Sequence, residues 1–226
     1  MVESILMSFA PMLLGAQLVL TLVLVKGDIC PGQRGRVHKM LPAIGVLWLA
    51  VASIKIEAFL VVFAIFYFFS KVQTNKTRDK GPLWLLYLAN GLALAYVGIV
   101  ISEQPSVAAS IVNFAYIGTL GAIFGQLLLL IARSRLDAFH RILPVAGVLS
   151  GMLVVLATLL HAYSLNEESL ALATQGLLIS FALLIIGIVI WCWHLFLSQS
   201  PNKLQLTLAN LTLLAATIGL QAFFIV

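Results

Sequence analysis

Six stretches of this chain, residues 4–25, 83–102, 106–132, 142–163, 170–197 and 204–226, each run for twenty residues or more without an Asp, Glu, Lys or Arg. A helix of about 20 apolar residues crosses a bilayer core of about 30 Å. In lipid the backbone must satisfy its own hydrogen bonds, so such a run can cross only as a helix. The whole composition agrees. Hydrophobic residues make up 62% of the chain and charged residues 9%, whereas soluble domains carry about a quarter charged residues. A soluble fold of this length has too little interior to hide that much apolar surface. Lipid is therefore the solvent, and the fold class expected is an all-α polytopic membrane protein.

The formal charge of +5 does not point to nucleic acid. The basic residues stand in short loops between apolar runs, the ordinary distribution for a membrane protein. Cys30 and Cys192 are isolated and form neither a disulfide framework nor a metal motif. Asn75-Lys76-Thr77 matches a glycosylation sequon, in a loop that reads as cytoplasmic. The N-terminus lacks a basic lead-in and a cleavage site, so its first apolar run is expected to be retained. The setting expected is a bacterial inner membrane.

Residues 40–70 are ambiguous, because Lys55 and Glu57 interrupt them near the middle. They form either one long tilted helix or a hairpin of two short ones. Lys26, Arg34, Arg36 and Lys39 precede the segment, and Lys71, Lys76, Arg78 and Lys80 follow it. A hairpin puts both clusters on one side with Arg133, Arg135, Arg141 and Lys203, and puts Glu3, Glu103, Glu167 and Glu168 on the other. Every basic residue except Lys55 is then cytoplasmic, as the positive-inside rule prefers. The difficulty is length, since fifteen residues rise only about 22 Å.

An internal duplication bears on the choice. His38-Lys39-Met40-Leu41-Pro42-Ala43-Ile44-Gly45-Val46-Leu47 matches His140-Arg141-Ile142-Leu143-Pro144-Val145-Ala146-Gly147-Val148-Leu149 at six of ten positions. Upstream, Leu14-Gly15-Ala16 matches Leu120-Gly121-Ala122. Downstream, Leu88-Ala89-Asn90 matches Leu208-Ala209-Asn210. The blocks recur in the same order, which chance in a Leu-rich chain rarely produces. The reading is two tandem four-helix repeats: residues 1–102, with spans at 4–25, 40–54, 57–70 and 83–102, and residues 106–226, with spans at 106–132, 142–163, 170–197 and 204–226. From Pro42 to Asn90 is 48 positions and from Pro144 to Asn210 is 66, so the first copy is compressed. Seven spans is the alternative.

The residues that might carry chemistry are few. Lys55 and Glu57 suggest an ion path if they lie at mid-membrane, and ordinary turn residues if they cap a hairpin. Asn90 and Asn210 are equivalent in the repeat. An amide in lipid needs a partner, so both are expected to face the interior near the pseudo-twofold axis, either packing or lining a path. Thr217 and Gln221 continue the polar stripe of Asn210. Gln17, Asn113 and Gln126 are further buried polar candidates with nothing to tie them together. Trp191, Trp193 and His194 read as an interfacial belt. The histidines form no facing pair, so no haem, other cofactor or metal is expected. Gly121 and Gly125, Gly147 and Gly151, and the run Gly91, Ala95 and Gly98 read as packing faces.

No nucleophile elbow, zinc-protease motif or phosphate loop is present, so an enzyme is the least favoured class. Tandem repeats build transporters, which favours a small transporter or channel-like protein for a small solute or ion. The alternative is a non-catalytic anchor or scaffold subunit of a larger complex. The partners expected are the lipid bilayer and a protein partner or a second copy, with no nucleic acid.

Overall fold

The structure, a computed structural model, describes residues 2–72, 80–134, 136–197 and 199–224, without the side chains of residues 2–5 and 7. The sequon at Asn75 lies outside the described residues. These residues form nine α-helices and one 3-10 turn. The helices are α1 (Val2–Lys26), α2 (Pro31–His38), α3 (Leu41–Ala52), α4 (Phe59–Lys71), α5 (Leu83–Ser102), α6 (Val107–Ile131), α7 (Asp137–Ser164), α8 (Glu167–Phe196) and α9 (Lys203–Phe223). Six of them, α1 and α5 to α9, are long and apolar enough to cross a membrane. The protein is an all-α, multi-pass membrane protein.

Sequence explains the breaks between helices. Ser106, Asn166 and Asn202 cap the helices that follow them, their side chains accepting from the backbone N–H groups of Ala109, Ser169 and Leu204, which are otherwise orphan donors of a first turn. At the end of α6 the N–H groups of Arg133 and Ser134 return to the carbonyls of Leu130 and Leu129. Arg133 takes the left-handed backbone conformation at φ 51° that this pattern requires and that glycine usually fills. Pro42 begins α3, whereas Pro144 lies inside the continuous α7. A proline lacks the N–H that a helix interior needs, so the same residue serves either position at different cost.

Residues 40–70 fold back on themselves. Lys55 is extended, at φ −125° and ψ 110°, and Ile56–Ala58 make the 3-10 turn into α4. A Cβ on Gly45 of α3 would lie 2.9 Å from the Phe66 ring of α4, and the His38 ring meets Phe68 edge-on at 5.7 Å. Residues about equally far before and after Lys55 therefore meet, as in an antiparallel hairpin. Its helices have 12 and 13 residues, about 18–20 Å each.

At the centre, α1 and α6 pack more closely than side chains allow. A Cβ on Gly15 would lie 2.7 Å from the Gly121 Cα, and one on Gly121 would lie 2.4 Å from the Gly15 Cα. One on Gly125 would lie 3.0 Å from Val19. Contacts advance together along both chains, so α1 and α6 run parallel. Small residues make such backbone approach possible in lipid, where dispersion and not water exclusion holds helices together.

The other helices surround this pair. Both α5 and α9 touch α1 and α6; α3 and α7 flank α1 and α6 respectively; α4 and α8 lie outside. Burial repeats with the sequence. Leu86, Ala89, Ala93, Tyr96, Val97 and Val100 are the buried face of α5, and Leu206, Ala209, Leu213, Ala216, Thr217 and Leu220, each 120 positions later, are the buried face of α9. The small-residue expectation holds for Gly147 and Gly151, which admit Trp191 and Ile188 of α8. It does not extend to Gly91 and Gly98: a Cβ on either would meet nothing within 4 Å, so the face of α5 that carries them is open.

Candidate functional site

Buried polar side chains gather in two clusters, one on each side of the α1–α6 pair. In the first, Gln17 of α1 is fully buried. Its Oε1 accepts from Trp48 Nε1 at 3.2 Å, and its Nε2 donates to Asn90 Oδ1 at 2.8 Å. Asn90 Nδ2 donates to the Thr21 hydroxyl at 2.9 Å, and that hydroxyl donates to the Gln17 carbonyl at 2.8 Å. The ring bolts α3 and α5 to α1. The Trp48 ring also meets Tyr96 of α5 edge-on at 5.7 Å.

The second cluster hangs on Gln126 of α6, also fully buried. Its Oε1 accepts from Trp191 Nε1 of α8 at 2.6 Å, and its amide lies 3.4 Å from His140 Nδ1 of α7. His194 ties the same region together, with Nδ1 2.8 Å from the Trp191 carbonyl and Nε2 3.1 Å from the His140 carbonyl. Gln205 of α9 donates to the Ile190 carbonyl at 2.7 Å. Both imidazole nitrogens of His194 thus face backbone carbonyls. Such clusters suit mechanical fastening. Their donors and acceptors are mutually engaged, and each such bond contributes about 0.6–2 kcal/mol in a membrane.

The two ends of the bundle differ in charge. Lys55 bonds Glu103, which follows α5, beside the start of α6 at Val107. At the opposite end, Arg36 Nε donates to the Ala132 carbonyl at 2.8 Å, satisfying the terminus of α6 and placing a cation at the negative end of a helix dipole. The helix termini carrying Lys26, Lys39, Lys71, Lys80, Arg141 and Lys203 lie at that end too. Here His38 is fully buried against Phe68, and neither ring nitrogen has a partner among the described residues. Burial, aided by the Arg34 charge, pushes its pKa down to about 4. At the acidic end a cavity of about 370 Å³ opens between the hairpin tip and α5, lined by Lys55, Glu57, Tyr96, Glu103 and isoleucines.

A model of one protein family matches residues 2–224, nearly the whole chain. The chain belongs to that family, described as an integral membrane domain. The long apolar helices of the structure are what that description requires. An uncharacterized protein of Haemophilus influenzae is 31% identical to this integral membrane domain over 164 residues, or 68% of the chain and 61% of the relative. The chain thus spans about three fifths of that curated relative's length. No solved structure matches.

Within this integral membrane domain the residues singled out from sequence separate into three groups. Asn90 is engaged in the first cluster. Asn210 is 8% exposed, and its Oδ1 has no partner among the described residues. The two amides do not bond each other. In the matching sequence blocks Ile123 and Leu127 stand where the first block has Gln17 and Thr21. Thr217 returns its hydroxyl to the Leu214 carbonyl at 2.8 Å, and Gln221 donates to the Ser8 hydroxyl of α1 at 3.0 Å. Lys55 pairs with Glu103 and not with Glu57. The Glu57 side chain makes no hydrogen bond or ion pair among the described residues.

Sequence reasoning missed the two hubs. Gln17 and Gln126 appeared unconnected, and Trp191 was expected in an interfacial belt. It is instead fully buried over Gly147, and Trp193 alone of that pair is exposed. The available signal was the indole N–H: a tryptophan inside a span needs an acceptor, and a glutamine is among the few side chains able to supply one.

Proposed function

We propose that this chain is a non-catalytic membrane subunit, which anchors or scaffolds a larger assembly. The observation that carries this reading is the contact of Gly15 with Gly121. Transporters built from repeats hold their substrate between the repeats. Here that place is occupied by backbone against backbone, and Gln17, two residues from Gly15, is already engaged by Trp48 and Asn90. The chain is then two tandem four-helix repeats, 1–102 and 106–226, with eight spans and a short hairpin in the first. The matching burial of α5 and α9 and the parallel course of α1 and α6 support this duplication. The basic end faces the cytoplasm by the positive-inside rule. The Haemophilus relative supports a bacterial inner membrane.

Purification from native membranes in mild detergent tests the reading. A stoichiometric protein partner is the expected result. A homogeneous chain without a partner, which carries a solute across proteoliposomes, would overturn it. A second reading is a small transporter or channel-like protein using Lys55, Glu57, Asn90, Asn210, Thr217 and Gln221. The cavity at Lys55 and Glu57 favours it, because charges bordering a membrane cavity are a usual mark of an ion path.

A further inference from the structure

The cavity at the acidic end combines charges with an adjoining exposed apolar face. Lys55 and Glu103 bond one another within it, leaving the Glu57 carboxylate as the unbalanced charge. One ammonium against two carboxylates makes the site a net anion, suited to a cation. Its volume of about 370 Å³ lies in the range of small-ligand pockets, about 300–1,000 Å³. Below it, Ile56, Phe59, Leu60 and Phe63 are exposed by 73%, 48%, 58% and 64%. Their spacing of three, four and seven puts them on one helical face. Tyr67 extends this stripe, stacked on Phe63 at 5.9 Å. The stripe leads from the cavity along α4 toward the bilayer interior.

We infer that this cavity binds the ethanolamine headgroup of a phospholipid, with an acyl chain lying along the α4 stripe. The ligand ammonium has Glu57 and Glu103 as acceptors. Lys55, released from Glu103, meets the adjacent phosphate, so each charge of the zwitterion gains an opposite one. A free amine would use the carboxylates but not the stripe. An anionic headgroup would satisfy Lys55 and leave Glu57 beside a like charge. A quaternary ammonium would bring the charge without N–H donors.

Native mass spectrometry of the full chain in detergent, offered phosphatidylethanolamine, phosphatidylcholine or phosphatidylglycerol with identical acyl chains, tests this. Bound phosphatidylethanolamine should exceed each of the others by about fivefold, the factor that about 1 kcal/mol of exposed charge pairing supplies. Glu57→Gln should remove that preference, and Glu168→Gln, at the same end but outside the cavity, should keep it. Millimolar phosphoethanolamine without acyl chains should not displace the lipid. Equal binding of the three lipids, a preference that survives Glu57→Gln, or displacement by the soluble headgroup would each overturn the inference.

Discussion

Replacing Gly121 by alanine adds one methyl group where the structure has no room for it. The new Cβ would lie 2.4 Å from the Gly15 Cα, 2.9 Å from the Gly15 carbonyl carbon and 3.2 Å from the Ala16 nitrogen. All three are backbone atoms, so no side-chain rotation relieves the clash. Ordinary carbon contacts begin near about 3.5 Å, and α1 and α6 must part by about 1 Å, a gap that forfeits a quarter to a half of each contact's attraction. Overpacking of this kind costs about 1–3 kcal/mol. Alanine returns about 1 kcal/mol of helix propensity, leaving a net loss of up to about 2 kcal/mol. Gly91→Ala and Gly98→Ala supply the comparison, because nothing lies within 4 Å of either new methyl. They should be neutral or slightly stabilising. Unfolding in mixed micelles of increasing SDS content, followed by the fluorescence of buried Trp48 and Trp191, measures all three. Gly15→Ala should behave like Gly121→Ala, and the double variant should cost less than their sum, since one separation of the helices accommodates both methyls. If Gly121→Ala unfolds where Gly91→Ala does, the close helix crossing is wrong.

Asn90→Leu should destabilise by about 1–2 kcal/mol in the same assay, because it strands the Gln17 amide and deprives Thr21 of a donor. Asn210→Leu should be neutral or stabilising, since the Asn210 Oδ1 has no partner to lose; equal effects at the two sites would refute the assignment of partners. With Cys30 and Cys192 replaced by serine, Gly32→Cys and Lys80→Cys should be labelled from the same side of sealed vesicles, and labelling from opposite sides would refute the hairpin. His38 sets an acid limit: with its folded pKa near 4, protons bind the unfolded chain first, so stability is full above the unfolded value of about 6.5 and falls as pH drops toward 4. His38→Leu should flatten the melting temperature between pH 7 and pH 4.5, and an unchanged slope would show that other groups set it.

The fold was legible because lipid imposes a simple rule. Uncharged runs of span length became α1 and α5 to α9, with boundaries displaced mainly where Asp137 and Glu167 enter the first turns of α7 and α8. Carboxylates there favour the positive end of the helix dipole, so a charge that closes an apolar run need not close the helix. The hairpin was readable from charge and not from periodicity, because Lys55 and Glu57 interrupt a segment that is otherwise mostly apolar. The polar clusters were illegible for a different reason. Hydrogen bonds such as Gln17 to Trp48 and Gln126 to Trp191 join residues 31 and 65 positions apart. One sequence records that each side chain is polar within a span, and only packing decides which partner it meets.

On the proposed duplication, the placement of those clusters separates what the two copies would share from what each would have acquired. Gln17 aligns with Ile123, and Gln126 aligns with Leu20, so the two glutamines are not one inherited residue. Trp48 belongs to α3, and Trp191 belongs to α8, which aligns with α4. Each copy nevertheless joins a glutamine of its first helix to a tryptophan of a surrounding helix. The need is physical: helices in lipid gain little from excluding water, and a hydrogen bond between buried amides and indoles fixes their depth and rotation. The shared frame is therefore apolar, in the buried faces of α5 and α9 and in the glycines at the crossing. On that proposal the polar fasteners arose within each copy to fit its own geometry, and Asn90 and Asn210 would mark common descent more clearly than common function. The amide of Asn90 is engaged because Gln17 and Thr21 stand opposite it, whereas the Oδ1 of Asn210 has no partner among the described residues.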